Sequence, residues 1–272
     1  MNKILSGKDL ADYIKLRQSK EVRSISQSFH VIPKLAIIQC KDDPAINTYV
    51  KLKQAYGMDI GVSVDIYKID QKQILNKIHQ LNHDDSVHGI IVQLPLEDVS
   101  KTDDILDLVD INKDVDALNK KSKFDPATPN AILWLLAGYN IDMKNTKVLL
   151  IGRGKLVGGP LEKILKQSGV NLTVADNKTK NLKNECLKAD IIITATGQPD
   201  LIKPDMLREG NVIVDAGTAS DNGVTRGDLS DSVYEMDKLI LTPKRGGVGP
   251  LTVCSLFENV LKAARKSVKL NH

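Results

Sequence analysis

Two stretches of the chain combine residue types and spacing that suit chemistry. The first runs Lys147-Val148-Leu149-Leu150-Ile151 into Gly152-Arg153-Gly154-Lys155-Leu156-Val157-Gly158-Gly159. An apolar strand, a glycine turn and a helix start, in that order, let backbone N–H groups approach a pyrophosphate at the helix N-terminus. The third glycine is Gly158, one place later than in the usual fingerprint, so the motif reads GxGxxxG. Asp176 follows 24 residues after Gly152, at the end of the next strand. The alternative is a tight strand-to-helix turn with no ligand. Arg153 and Asp176 pull in opposite directions, because an arginine in the turn can pair with the 2′-phosphate of NADP whereas an acid ending the second strand bonds the ribose hydroxyls of NAD. The second stretch holds Tyr49 and Lys53, four apart, so that one helix face can direct both into the same pocket. On its own such a pair is ordinarily a solvated helix face.

The elements that must position these residues alternate short apolar runs with amphipathic segments, which predicts α/β architecture with parallel sheets. Helices are expected over Lys8–Phe29, Pro44–Met58 and Gln71–Leu81, with strands Lys34–Gln39, Val62–Tyr67 and His88–Gln93 between them. Asp42-Asp43-Pro44 is a helix-start signal, and Thr128-Pro129 is another, opening the run NAILWLLAGYN. Strand Lys147–Ile151, helix Leu156–Gln167 and strands Asn171–Ala175, Asp190–Thr194, Asn211–Asp215 and Lys238–Leu241 follow, then a helix over Pro250–Lys266. Two domains are expected: an N-terminal α/β catalytic lobe over residues 1–125, to which the segment 250–272 returns, and a Rossmann-like dinucleotide-binding domain with a parallel sheet over 126–249. Trp134, among Leu133, Leu135 and Leu136, reads as core.

Composition narrows the function classes. With 272 residues, 42% apolar and 26% charged, the chain can bury a substantial core. The net charge of +4 is spread along it, which gives nucleic-acid binding little support. Cys40, Cys186 and Cys254 lack metal-ligand spacing and read as reduced thiols. His30, His79, His83 and His88 have no ligand spacing with cysteines or acids, so no metal is assigned. No run reaches the roughly 18 apolar residues needed to span a bilayer. The N-terminus does not read as a signal segment, and the cytoplasm is the expected compartment.

Several further motifs fall in a recognisable order. Tyr49-Val50-Lys51-Leu52-Lys53 fits YVxxK, and Gly89-Ile90-Ile91-Val92-Gln93-Leu94-Pro95-Leu96 fits GxxVQLPL. Lys113-Asp114-Val115-Asp116 fits KDVD, and Pro126-Ala127-Thr128-Pro129 is similar to PCTP. Gly152-Arg153 with Val157-Gly158 fits GRSxxVG, and Gly246-Gly247-Val248-Gly249-Pro250-Leu251-Thr252 fits GGVGPMT. Across almost its whole length the chain therefore resembles the methylenetetrahydrofolate dehydrogenase/cyclohydrolase family. The resemblance implies NADP-linked oxidation of 5,10-methylene-tetrahydrofolate, then hydrolysis of the methenyl product to 10-formyl-tetrahydrofolate, by a homodimer.

The resemblance also distributes roles. Lys53, its pKa lowered by desolvation, would take and return a proton, with Gln93 holding its amine and Tyr49 stacking on the folate rings. Asp116 would accept hydrogen bonds from the pterin, and Gly247, Val248, Gly249 and Pro250 would let backbone approach the folate. Gly152, Arg153, Gly154, Val157, Gly158, Asp176, Asn177, Thr196 and Gly197 are assigned to the dinucleotide: NADP by resemblance, with NAD left open by Asp176. The plain readings are a backbone-satisfying Gln93 at a strand end, a turn or cap role for Asp116, and a simple glycine turn before Pro250.

Departures from the family pattern cluster around the cofactor and the hinge. Gly-Phe-His after Asp116 is here Ala117-Leu118-Asn119, and the serine after Arg153 is Gly154. Asp176-Asn177 replaces His-Ser, Ala127 replaces the cysteine, Gly217-Thr218-Ala219 replaces Gly-Ile-Asn and Lys244-Arg245 replaces Val-Pro. Lys244 and Arg245 could contact cofactor phosphates or a polyglutamate tail. The competing readings are a cyclohydrolase without dehydrogenase activity, a non-catalytic folate- or dinucleotide-binding protein, and a two-domain dehydrogenase of the shikimate type.

Overall fold

The chain opens with a two-residue strand β1 (Lys3–Ile4) and a long helix α1 (Gly7–Phe29). In the computed structural model, which describes residues 1–221 and 224–270, the chain divides into two compact units. One joins Met1–Ala11 to Thr128–Thr252, and the other joins Asp12–Ala127 to Val253–His272. The first eleven residues, expected with the N-terminal lobe, thus cluster with the second half of the chain. The cause is strand pairing: β1 lies parallel to a strand near residue 240, with Lys3 opposite Ile240 and Ile4 opposite Leu241. Asn271 and His272, the end of the segment expected to return, lie outside the described residues.

In the unit Asp12–Ala127 with Val253–His272, β2 (Lys34–Gln39), helix α2 (Pro44–Ile60), β3 (Ser63–Lys68), α3 (Ile74–Asn82), β4 (Gly89–Gln93) and the short α4 (Thr102–Leu106) follow in turn. The strands form a parallel sheet in the order β3-β2-β4. Alternation along β2 explains its apolar run, since a strand buried on both faces needs apolar residues at every position. Leu35 and Ile37 pack with Val22, Ile46, Val50 and Phe257, while Ala36 and Ile38 pack on the other face with Ile74, Ile78 and Leu81. Helix α2 starts where the sequence signals it. Asp43 accepts the Ala45 and Ile46 N–H groups, Pro44 opens the first turn, and Gly61 closes the helix in the left-handed region at φ 86°.

The other unit contains most of α5 (Ala127–Gly138), then β5 (Lys147–Ile151), α6 (Gly158–Gln167), β6 (Asn171–Ala175), α7 (Leu182–Lys188), β7 (Ile191–Thr194), β8 (Val212–Asp215), the antiparallel pair β9 (Ala219–Asp221) and β10 (Val224–Arg226), and β11 (Ile240–Leu241). The last helix, α8 (Val248–Leu270), begins in this unit and ends in the other. Its six-stranded sheet runs β1-β11-β8-β7-β5-β6, with every pairing parallel. From β5 the chain steps out to β6 and then back past β5 to β7. That reversal is the topological switch point at which open α/β sheets bind ligands, outside the carboxyl ends of the strands.

Some boundaries move. Helix α6 begins at Gly158 rather than Leu156, because the residues before it close the glycine turn, and α8 begins at Val248, two residues before Pro250. Strands β1, β9 and β10 and helices α4 and α7 carry too few residues for a periodic signal. Trp134, expected in the core, is only half-buried; Ala131, Ile132, Leu135 and Leu136 make the buried face of α5 instead.

Candidate functional site

The lysine site lies within the three-stranded unit. Lys53 projects from α2, and its Nζ donates to Gln93 Oε1 at 2.9 Å. Gln93 ends β4 and donates through Nε2 to the Leu94 carbonyl at 3.1 Å, which sets the amide so that its oxygen faces the amine. Burial lowers the Lys53 pKa below that of an ordinary lysine, and the Asp116 charge opposes this. Lys53, Gln93 and Asp116 are therefore brought together. Tyr49, one turn earlier on the same helix, is 43% exposed, so its ring is presented to solvent as a stacking surface.

Asp116 is positioned by the segment around it. Ile90 bridges to Asp114, and Asp114 accepts the Asn119 N–H at 2.9 Å. Burial pushes the Asp114 carboxyl up. Asn119, which stands where the family pattern has histidine, is buried and donates to the carbonyls of Asp107 and Val109. Ala117 holds φ 57°, in the left-handed region that the patterned glycine would occupy without strain. Asp114 and Asn119 were missed as supports of this loop because their contacts form only once β4 is beside it.

The dinucleotide candidates lie at the switch point of the six-stranded sheet. Gly152 has φ 100°, and a Cβ on it would come within 2.6 Å of the Ala195 carbonyl oxygen. A Cβ on Gly158 would come within 2.1 Å of the Gly152 carbonyl oxygen. Both glycines are thus required by the chain itself: Gly152 lets the turn after β5 approach the turn after β7, and Gly158 lets the start of α6 close on Gly152 and Arg153. A Cβ on Gly154 would meet nothing within 4 Å, so that position opens onto free space. Val157 gives α6 no side-chain cap; in the first turn the Gly159 N–H bonds to the Gly154 carbonyl at 2.9 Å and Pro160 has no N–H, so Gly158 supplies the N–H left to meet an anion there. Thr196 and Gly197 form the adjoining turn, with the Thr196 N–H donating to Asp228 at 2.9 Å and Gly197 at φ 67°. Turn spacing, the open face at Gly154 and the Gly158 N–H together fit a pyrophosphate.

Beneath that turn sit two carboxylates that sequence reasoning missed. Asp228 accepts from Thr194 Oγ1 and from the Thr196 and Gln198 N–H groups, and Asp215 accepts from the N–H groups of Gly217, Asp228 and Leu229. Burial raises the Asp215 pKa to about 6. Their only trace in the sequence is Gly217 and Gly227, where a Cβ would strike a carboxylate oxygen at 2.1 Å in each case.

The remaining assignments divide. Arg153 is half-exposed and paired with Glu162, with Asp176 nearby; Asn177 is exposed. Lys244 is bonded to Asp231 at 2.7 Å and lies over the Tyr234 ring, so the cation expected for phosphates already has a partner. Arg245 is exposed. Val248, Gly249 and Pro250 open α8 and Gly247 immediately precedes it, with the Lys8 N–H bonded to the Gly246 carbonyl at 3.0 Å. Cys40, Cys186 and Cys254 are buried and are not joined by disulfides. Among the described residues, no three His, Cys, Asp or Glu side chains converge as a metal site would require, and no helix is long and apolar enough to cross a membrane.

Fold and sites together define the class: an α/β protein of the dinucleotide-binding type with a second, lysine-bearing α/β unit. Comparison with known proteins narrows it. Residues 5–116 match the catalytic domain and residues 126–268 the NAD(P)-binding domain of tetrahydrofolate dehydrogenase/cyclohydrolase, and the chain belongs to that family. It is 36% identical over 279 residues to the bifunctional protein FolD of Lactobacillus acidophilus, covering 98% of each chain. The crystal structure of the bifunctional methylenetetrahydrofolate dehydrogenase/cyclohydrolase FolD of Campylobacter jejuni superposes with a TM-score of 0.91 at 35% identity, covering 98% of this chain and 99% of that one. The Trypanosoma brucei enzyme, solved with NADP and an inhibitor, gives 0.90 at 25% identity and 98% coverage of both chains.

Proposed function

We propose that the chain oxidises 5,10-methylene-tetrahydrofolate with a nicotinamide dinucleotide and hydrolyses the methenyl product to 10-formyl-tetrahydrofolate. The unit Asp12–Ala127 with Val253–His272 is assigned to the folate and the unit Met1–Ala11 with Thr128–Thr252 to the dinucleotide. The observation that carries this reading is the buried Lys53 amine held at 2.9 Å by Gln93, beside Asp116. A protein that only bound folate would have no use for a desolvated amine at that place.

In the hydrolysis, the neutral Lys53 amine takes a proton from the water that attacks the methenyl carbon. Of the two protons the water brings, one ends on N5 as the ring opens and the other is released. Lys53, holding the first, is placed to deliver it. Gln93 keeps the amine oriented by accepting one of its N–H bonds, and Asp116 accepts from the pterin donors. The exposed Tyr49 ring offers a stacking face for the folate. Gly152, Gly154 and the Gly158 N–H at the start of α6 would hold the pyrophosphate, with Thr196, Gly197 and Asp176 around the rest of the cofactor. The chemistry supplied there by a bound nicotinamide is acceptance of a hydride from the one-carbon bridge. A cytoplasmic homodimer accompanies this reading on the family resemblance.

The experiment is to follow methylene-tetrahydrofolate oxidation and, separately, methenyl-tetrahydrofolate hydrolysis by absorbance, in the unaltered protein and in Lys53→Met. Both activities are expected in the former, and loss of the hydrolysis, by about a hundredfold or more, in the latter. Normal hydrolysis by Lys53→Met would remove Lys53 from the mechanism. Hydrolysis without oxidation in the unaltered protein would leave a cyclohydrolase, and inertness in both assays a binding protein.

A further inference from the structure

We propose that Glu162 sets the dinucleotide preference of this chain, turning it toward NAD by engaging the arginine that would otherwise receive a 2′-phosphate. The inference rests on the dinucleotide reading of the β5–α6 turn and deepens it.

Glu162 lies in α6, just beyond the turn. Arg153 Nε donates to Glu162 Oε2 at 2.9 Å and Nη2 to Oε1 at 2.8 Å, a two-pronged pair that uses one edge of the guanidinium. The remaining nitrogen, Nη1, lies 3.6 Å from Asp176 Oδ2. Every nitrogen of the group therefore faces a carboxylate. Lys166, one turn further along α6, donates to Glu162 Oε1 at 2.7 Å. The Glu162 side chain is 14% exposed against 50% for Arg153, so the carboxylate is the seated partner and the arginine the one that reaches over to it. The bonds from Arg153 and Lys166 hold the Glu162 pKa to about 2, and it stays ionised throughout the neutral range.

The consequence for an incoming ligand is electrostatic. The charges of Arg153, Lys166, Glu162 and Asp176 cancel, whereas a phosphate monoester brings between about one and a half and two negative charges. To receive it, Arg153 must give up the two-pronged pair, and Asp176 would still face the phosphate. NAD presents hydroxyls at the same place. These can donate to Asp176, whose Oδ1 is already oriented by the Lys178 N–H at 2.9 Å and whose side chain is 29% exposed. Gly154, where the family pattern has a serine, contributes no hydroxyl toward a phosphate. Lys155, Lys178 and Lys180 are other cations of these turns.

The test is calorimetric titration of the whole protein with NAD and with NADP, for the unaltered chain, Glu162→Gln and the double variant Glu162→Gln with Arg153→Ser. The unaltered chain is expected to bind NAD more tightly. Glu162→Gln should improve NADP relative to NAD by roughly fivefold, the size of an exposed ion pair, and adding Arg153→Ser should abolish the gain. The ratio of the two affinities within one variant does not depend on the fraction folded, so a merely structural role for Glu162 would leave it unmoved. Tighter binding of NADP by the unaltered chain, or an unchanged ratio in Glu162→Gln, overturns the proposal while leaving the dinucleotide site standing. Failure of all three proteins to bind either dinucleotide overturns the site and the proposal together.

Discussion

Ala117 shows how a single residue can carry strain next to a functional carboxylate. Its φ of 57° costs an L-residue about 1 kcal/mol, and glycine would remove that cost while adding some unfolded-state entropy. Ala117→Gly is therefore expected to stabilise the protein by up to about 1 kcal/mol, read as a higher denaturant midpoint, and a lower midpoint would refute the strain. At this scale the sequence was legible where chemistry follows a fixed spacing. Tyr49 and Lys53 share a helix face because they are four apart, and Gln93 sits where an apolar strand ends. The roles of Glu162, Asp215 and Asp228 were not legible, since a lone acidic residue reads as solvated surface or a strand end until the fold shows which donors surround it.

Among the elements, the turn after β7 has the most specific support, and that support titrates. Asp215 has a folded pKa of about 6, raised by burial above the unfolded value of about 3.9. A carboxyl raised in the folded state stabilises it most at low pH, below the unfolded value, and this contribution is lost as pH rises through about 6. The two pKa values differ by about two units, so the loss is of order 3 kcal/mol between pH 4 and pH 7. The stability difference between the unaltered protein and Asp215→Asn, measured by urea unfolding at both pH values, should shrink by that order on going to pH 7. A difference that stays constant with pH would show that Asp215 does not titrate in this window. The strands and long helices of both units follow from apolar periodicity, but the two-residue β1 and β11 do not. Strands so short are defined by their neighbours in the sheet.

For the whole molecule, the surprise lies in connectivity. Residues Met1–Ala11 complete the six-stranded sheet: Leu5 is fully buried, Asn2 bonds to Met236 and Leu239, and Ser6 bonds to Tyr139. Burial of Leu5 alone is worth about 2 kcal/mol. A chain starting at Asp12 should therefore melt roughly 5 °C lower or more, and an unchanged melting temperature would mean that β1 adds nothing to the sheet. The class of fold could be read from the alternation of strands and helices, and the site from its motifs. The assignment of the first residues could not, because a pairing between positions so far apart leaves no local pattern.

That pairing also bears on how the protein is made. Lys3 leaves the ribosome well before Ile240 and must wait for it before its strand has a neighbour. The three-stranded unit waits longer still, for Phe257 and Val260, which pack against its sheet. Each unit joins segments far apart in the chain, so apolar strands of both stay uncovered until residues beyond 240 have been made. Until then such a nascent chain calls for holding chaperones, and slowing translation before residue 260 would lengthen that need.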